Sequence, residues 1–283
     1  MTAPVGVPIV LSSMFLPRIA WALPWVFLTT LGGPGCRKKH VAVDGPVALA
    51  YPTCPAGSPV ARENLGTGHL RPGATALERM VSERFLFERR GCLRVMTVRQ
   101  EWPLNVSDVE VVYDARLLPL RAWKRMTLPG APDPGAVEDI RSYELRTEEV
   151  GITRRSGRAP VRYARLRGGR PTVVLGPGRG MLTAWIQRAN LPVGGRTREL
   201  ALDIRAAVEL IRPVTLRREP DMTPPALGRR VRVYTYYGRE TVFADEANVV
   251  VGDLAGLLPD ALATTPRPPP LPSPTPPDPV GTP

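Results

Sequence analysis

Between residues 83 and 251 apolar and polar positions alternate over short stretches that are separated by turn-forming residues. Phe85, Leu86 and Phe87 open a strand region in which Leu93 and Val95 flank Arg94, although Met96 and Val98 blur the two-residue period. Residues 108–113 (DVEVVY) and 117–126 (LLPLRAWKRM) read as strands joined at Asp114, Ala115 and Arg116, with Pro119 near a strand start where a missing N–H is tolerated. Strands then recur at 140–145, 150–154, 161–166 and 171–175, with turns at Ser156-Gly157 and Gly168-Gly169. Residues 181–189 (MLTAWIQRA) depart from this period. There Leu182, Trp185, Ile186 and Ala189 share one face at helical spacing. Further strands follow at 199–204, 210–217, 231–237, 240–243 and 248–251, and a short helix is expected over 74–81. About ten strands with a turn every 8 to 15 residues predict a mainly β domain, a curved antiparallel sheet, half-barrel or barrel-like, around one short core helix.

The ends have a different texture. Arg18 precedes an apolar run over 19–31, and Gly32, Gly33 and Gly35 then lead to Cys36, the order of a secretory signal read from Met14. The run is shorter than the roughly 20 residues of a spanning helix and contains Pro24. Residues 37–73 are rich in Gly, Pro and Ala with no stable period and read as a disordered tether. From Thr264 the chain runs TTPRPPPLPSPTPPDPVGTP, a polyproline II tail without a fold. The expected division is therefore a signal segment at 1–36, a tether at 37–73, a β domain at 74–260 and a Pro-rich tail at 261–283.

Composition narrows the function classes. The formal charge is +12, yet lysine occurs only at 38, 39 and 124, so the excess is arginine, scattered and interleaved with glutamate. A nucleic-acid interface would gather that charge into one face with stacking aromatics, so no nucleic-acid role is expected. Attraction to anionic lipid or envelope polymers is the charge's general consequence. Of the three cysteines, Cys36 is the candidate for lipidation, which leaves Cys54 and Cys92 either as a disulfide of an oxidising compartment or as free thiols. No CxxC occurs.

Histidine is confined to His40 and His69, both within the expected tether, so Ser-His or Cys-His catalysis and His-ligated metal are not expected. No cofactor is implied. The glycine-rich step from Leu175 to Gly180 stands between a strand and a helix, where N–H groups of Gly176, Gly178 and Gly180 could hold an anion; a plain connecting loop is the alternative. Glu148 with Glu149, Asp203 with Glu209, and Asp245 with Glu246 and Asp253, are the carboxylates to weigh for hydrolase or transferase chemistry. Trp123, Trp185, Tyr234, Tyr236 and Tyr237 serve either an apolar pocket or the core.

Two resemblances add to these readings. The ending Leu31-Gly32-Gly33-Pro34-Gly35-Cys36 resembles the lipobox of bacterial lipoproteins, with Gly33 where leucine is usual; it implies a diacylglyceryl anchor on Cys36. A plain cleaved signal or an uncleaved anchor are the other readings of this leader. The Glu83-Arg84-Phe85 opening, the Tyr113-Asp114 to Leu118-Pro119-Leu120 step, helix 181–189 with Leu191-Pro192-Val193-Gly194, and Tyr236-Tyr237-Gly238-Arg239-Glu240 resemble uncharacterised secreted bacterial sheet proteins related in architecture to lipoprotein-localisation factors. That likeness implies a half-barrel able to shelter an acyl chain, and carries no catalytic residues. The expectation is a non-catalytic envelope lipoprotein, on the periplasmic side or secreted, binding an apolar ligand, a lipid, or an envelope or cell-wall partner. An envelope hydrolase using Asp203 or Asp245 and an adaptor acting through the Pro-rich tail are the alternatives.

Overall fold

The computed structural model describes residues 52–56, 61–74, 76, 80–128, 138–205 and 208–262. The signal segment with Cys36, the tether up to residue 51 and the Pro-rich tail from residue 263 lie outside them, as do residues 75 and 77–79 of the helix expected over 74–81 and most of the loop after Leu128.

The chain is mainly β, with two curled, almost wholly antiparallel sheets and one short α-helix. The first eight strands, β1 (Arg62–Pro72), β2 (Ser82–Arg90), β3 (Leu93–Glu101), β4 (Val106–Tyr113), β5 (Pro119–Thr127), β6 (Asp139–Leu145), β7 (Glu149–Ser156) and β8 (Arg162–Arg167), pair in sequence order. The last strand, β15 (Leu257–Pro259), closes on β1 through Leu70↔Pro259 and Pro72↔Leu257 and completes a nine-stranded sheet. The second sheet has six strands in the order β14 (Val250–Asp253), β13 (Glu240–Ala244), β12 (Val231–Tyr236), β11 (Leu210–Met222), β10 (Arg196–Asp203) and β9 (Val173–Leu175). Its β9–β10 pair is parallel because α1 (Leu182–Ala189) crosses between them.

The helix forms where the two-residue period gives way to a 3.6-residue one. Leu182, Trp185 and Ile186 turn inward, and Asn190, in the left-handed conformation at φ 38°, ends the helix with its N–H on the Ile186 carbonyl. Around α1 the inward rows of both sheets converge, among them Phe87, Met96, Tyr143, Leu202, Leu216 and Tyr234, all buried. Among the described residues the inward rows of both sheets and α1 thus share one buried core.

Three corrections to the sequence reading follow. Residues 62–72 are not tether but strand β1, and His69 therefore belongs to the folded domain. Gly66 and Gly68 concealed this strand, because their bareness is required by what packs there. A Cβ on Gly66 would stand 2.8 Å from Val249 Cγ2, and one on Gly68 would enter the Phe85 ring. The region from 85 to 98 is a hairpin, turned at Gly91 with φ 63°. Its blurred alternation has a cause: Leu93, Val95 and Val112, on the face away from α1, are covered by Cys54, Cys92 and Leu120.

Cys54 and Cys92 are joined as a disulfide across 38 residues. Closing a loop of that size contributes about 4 kcal/mol in the chain-entropy model.

Candidate functional site

Successive side chains of a strand point to opposite faces, so the register decides which residues share the outer face of the nine-stranded sheet, the face turned away from α1. Two cross-strand rows lie there. One runs Thr67, Leu86, Thr97, Glu110, Trp123; the other runs His69, Arg84, Arg99, Asp108, Arg125. Between them is a groove of about 1040 Å³, floored by the backbone of Gly68, Phe85, Val98 and Val109 and walled at the β1 end by Val250, Val251, Pro259 and Arg229. Ligand sites commonly measure about 300 to 1,000 Å³, so the groove lies at the upper end of that range. Five strands at about 4.8 Å spacing make it about 19 Å long.

The two walls differ in chemistry. Leu86 and Trp123 present half-buried apolar surface, and the Trp123 indole is fixed by its N–H to Glu110 Oε1 at 3.2 Å. Glu110 is itself buried beside the Arg121 and Arg90 guanidinium groups at 3.6 and 4.0 Å. On the other wall Asp108 is shared by Arg99 at 3.4 Å and Arg125 at 3.1 Å. Arginines from four positions face this groove against the single carboxylate of Asp108.

The glycine-rich loop does grip an anion, and that anion is the protein's own. Glu83, on the inward face of β2 and wholly buried, accepts from the Gly180 N–H at 2.7 Å, the Arg179 N–H at 3.0 Å and Gln100 Nε2 at 3.0 Å. Gly178 and Gly180 admit this approach, since a Cβ on either would collide with Val98 or Phe85. Gly176 faces Met181 instead. With the Arg179 and Gly180 N–H groups so occupied, the loop is a clasp between β2 and α1. Burial lifts the Glu83 carboxyl above the usual carboxylate range, against the pull of the loop N–H groups.

Of the other carboxylates weighed from sequence, Asp203, Glu209 and Asp253 are held by arginine and Asp245 by backbone N–H groups. Asp203 accepts from the Arg205 backbone at 3.1 Å, from Arg205 Nε at 3.1 Å, from Tyr237 Oη at 2.8 Å and from Arg212. Tyr237 lies between the two guanidinium groups at 4.5 and 4.3 Å. Burial alone would raise the Asp203 carboxyl, but these donors outweigh it and hold it at about 2. Glu209 is buried against Arg141 at 2.9 Å, Tyr143 Oη at 3.0 Å and Arg154. Asp245 accepts from the Ala247 and Val249 N–H groups at 2.9 Å and so shapes a turn, while Asp253 pairs with Arg179 at 2.8 Å. Among the described residues, no group of three or more His, Cys, Asp or Glu is gathered for a metal ion.

Asp203 gives a testable pH effect. Its carboxyl is depressed from 3.8, so its contribution is present above that value and is lost as pH falls through about 2. Asp203→Asn should lower unfolding free energy by about 2 to 3 kcal/mol at neutral pH, and its gap from wild type should shrink between about pH 4 and pH 2 in urea titrations. A gap independent of pH would mean that the ionised carboxylate is not what the arginines stabilise.

Of the aromatic residues singled out, Trp123 lines the groove, Trp185, Tyr234 and Tyr236 are core, and Tyr237 is sandwiched by arginine. The groove itself was not read from sequence. Its residues come from seven strands and one loop, and in β1 to β5 they alternate with core residues, so their proximity exists only once the register is set.

No family model matches the chain, and no curated protein matches it. Among solved structures it is similar to a DUF1089 family protein from Pseudomonas aeruginosa, at 13% identity over 62% of this chain and 91% of that one, with a TM-score of 0.42. It is also similar to a beta-barrel-like protein of domain of unknown function DUF1849 from Brucella abortus, at 12% identity over 66% of this chain and 80% of that one, with a TM-score of 0.35.

Proposed function

We propose that the domain is a non-catalytic binder of an acyl-chain ligand, held in the groove on the outer face of the nine-stranded sheet, and that it works in the cell envelope as a lipoprotein tethered through Cys36. The observation that carries the binding reading is the pairing of an apolar wall, Leu86 and Trp123, with a charged wall across one groove. The inward rows of both sheets pack around α1 as one core, which supports placing the ligand on the side opposite to the one expected for a half-barrel carrier. Two features support the compartment: the leader with its lipobox-like ending, and the Cys54–Cys92 disulfide, a bond that persists in oxidising surroundings.

Trp123 makes the reading measurable. Titrating the delipidated full chain with a fluorescent fatty acid should show saturable one-to-one binding, weakened about tenfold, the equivalent of about 1.4 kcal/mol, by Trp123→Ala and removed by Leu86→Asp. Undiminished binding by both variants, with their folds intact by circular dichroism, would move the ligand elsewhere.

A further inference from the structure

The charged wall contains an imbalance. Arg84 and Arg99 stand directly opposite each other on β2 and β3, and like charges so placed repel. Arg99 is offset by Asp108 at 3.4 Å and Glu101 at 3.6 Å. Among the described residues Arg84 has no carboxylate partner. Its one side-chain bond runs from Nε to His69 Nε2 at 3.4 Å. For Nε2 to accept, the ring must carry its proton on Nδ1, and Nδ1 lies 3.2 Å from Oδ2 of Asp260, whose Oδ1 anchors Arg71 at 3.1 Å. Asp260 thus sets the His69 tautomer, and His69 holds Arg84 by its Nε, leaving the terminal guanidinium nitrogens for another acceptor. Arg229, on the same groove, likewise has no carboxylate partner among the described residues.

We propose that Arg84, oriented through His69 and Asp260 and joined by Arg229, is the headgroup site for an anionic amphiphile, a carboxylate or phosphate carried on an alkyl chain that lies along Leu86 and Trp123. This rests on the acyl-chain reading of the groove and adds the charge of the ligand to it. A guanidinium with free terminal nitrogens binds such oxyanions through two parallel hydrogen bonds, and an anion placed there relieves the Arg84–Arg99 repulsion.

Isothermal titration of the delipidated full chain with dodecyl phosphate, dodecanoate, dodecanol and inorganic phosphate, each below micelle formation, tests it. Both anionic ligands should bind at least about tenfold tighter than dodecanol, and inorganic phosphate should bind far more weakly than either. Arg84→Gln should bring the anionic ligands to within about threefold of dodecanol while leaving dodecanol affinity unchanged. Asp260→Asn, which touches no ligand, should produce part of that loss, with recovery in no other arm. Equal binding of dodecanol and dodecyl phosphate by wild type would overturn the headgroup site and leave the acyl groove standing. Inorganic phosphate binding as tightly as dodecyl phosphate would replace the amphiphile by a free anion, and Arg84→Gln weakening all three chains equally would reduce Arg84 to a structural role. Failure of every chain to bind would remove the groove reading itself.

Discussion

Replacing Glu83 by alanine should lower the unfolding free energy by about 3 to 5 kcal/mol, as measured by urea or guanidinium denaturation at neutral pH. The carboxylate is fully enclosed, and its removal takes the acceptor from the N–H groups of Arg179 and Gly180, while Gln100 Nε2 keeps the Pro177 carbonyl at 3.1 Å. The Arg179 guanidinium, which also binds Asp253, would lose a neighbouring negative charge. Glu83→Gln separates shape from charge. It keeps the volume but offers one acceptor oxygen where two are used. Its pH behaviour carries a definite sign. Burial raises the Glu83 carboxyl above 4.5, so the folded state binds this proton more tightly than the unfolded chain does. The stabilising contribution of the protonated form is therefore complete below about pH 4.5 and is lost as pH rises through the folded-state value, opposite to Asp203. Wild-type stability should fall relative to Glu83→Gln over that rise. A loss below about 1 kcal/mol for Glu83→Ala would show that the glycine loop opens to solvent without cost.

Trp185→Ala should cost about 3 to 5 kcal/mol, the range for emptying a large aromatic site in a packed core. Trp185 is 3% exposed, occupies the centre of the α1 stripe and donates its indole N–H to Glu199 Oε1 at 2.8 Å. Glu199 keeps Thr172 Oγ1 at 2.7 Å and Arg188, so the carboxylate is not left without partners and the loss measures packing. Trp185→Phe, which retains most of the ring, should cost about 1 to 2 kcal/mol, chiefly the hydrogen bond. Denaturant titrations of the two variants give the comparison, and near-ultraviolet circular dichroism reports whether the core stays ordered. Similar losses in both would place the energy in the indole N–H instead.

What the sequence reveals follows from how local the determinant is. Strand β4 and helix α1 are legible because each carries its own periodicity, alternating valines in one and the Leu182-Trp185-Ile186 stripe in the other. Strand β1 carries none, since Gly66 and Gly68 leave room for side chains contributed by Val249 and Phe85. Strand β15 has three residues, too few to show a period. The glycine loop announced an anion site, but its occupant, Glu83, comes from 96 and 97 residues earlier, and no local pattern encodes that meeting. The groove is of the same kind. Leu86, Thr97 and Trp123 become neighbours only through the pairing of β2 with β3, β3 with β4, and β4 with β5.

The pairing of β1 with β15 joins almost the first described strand residue to almost the last, with Arg71 and Asp260 bound across 189 positions. Such distant closure is slow in folding, because a long span of chain must be ordered before its contacts form. A chain made from its N-terminus can assemble β2 to β8 by adjacent hairpins, yet β1 keeps one rim unsatisfied until β15 has been made. Closure of the sheet therefore waits for β15, with the incomplete rim as the surface a chaperone would need to shield.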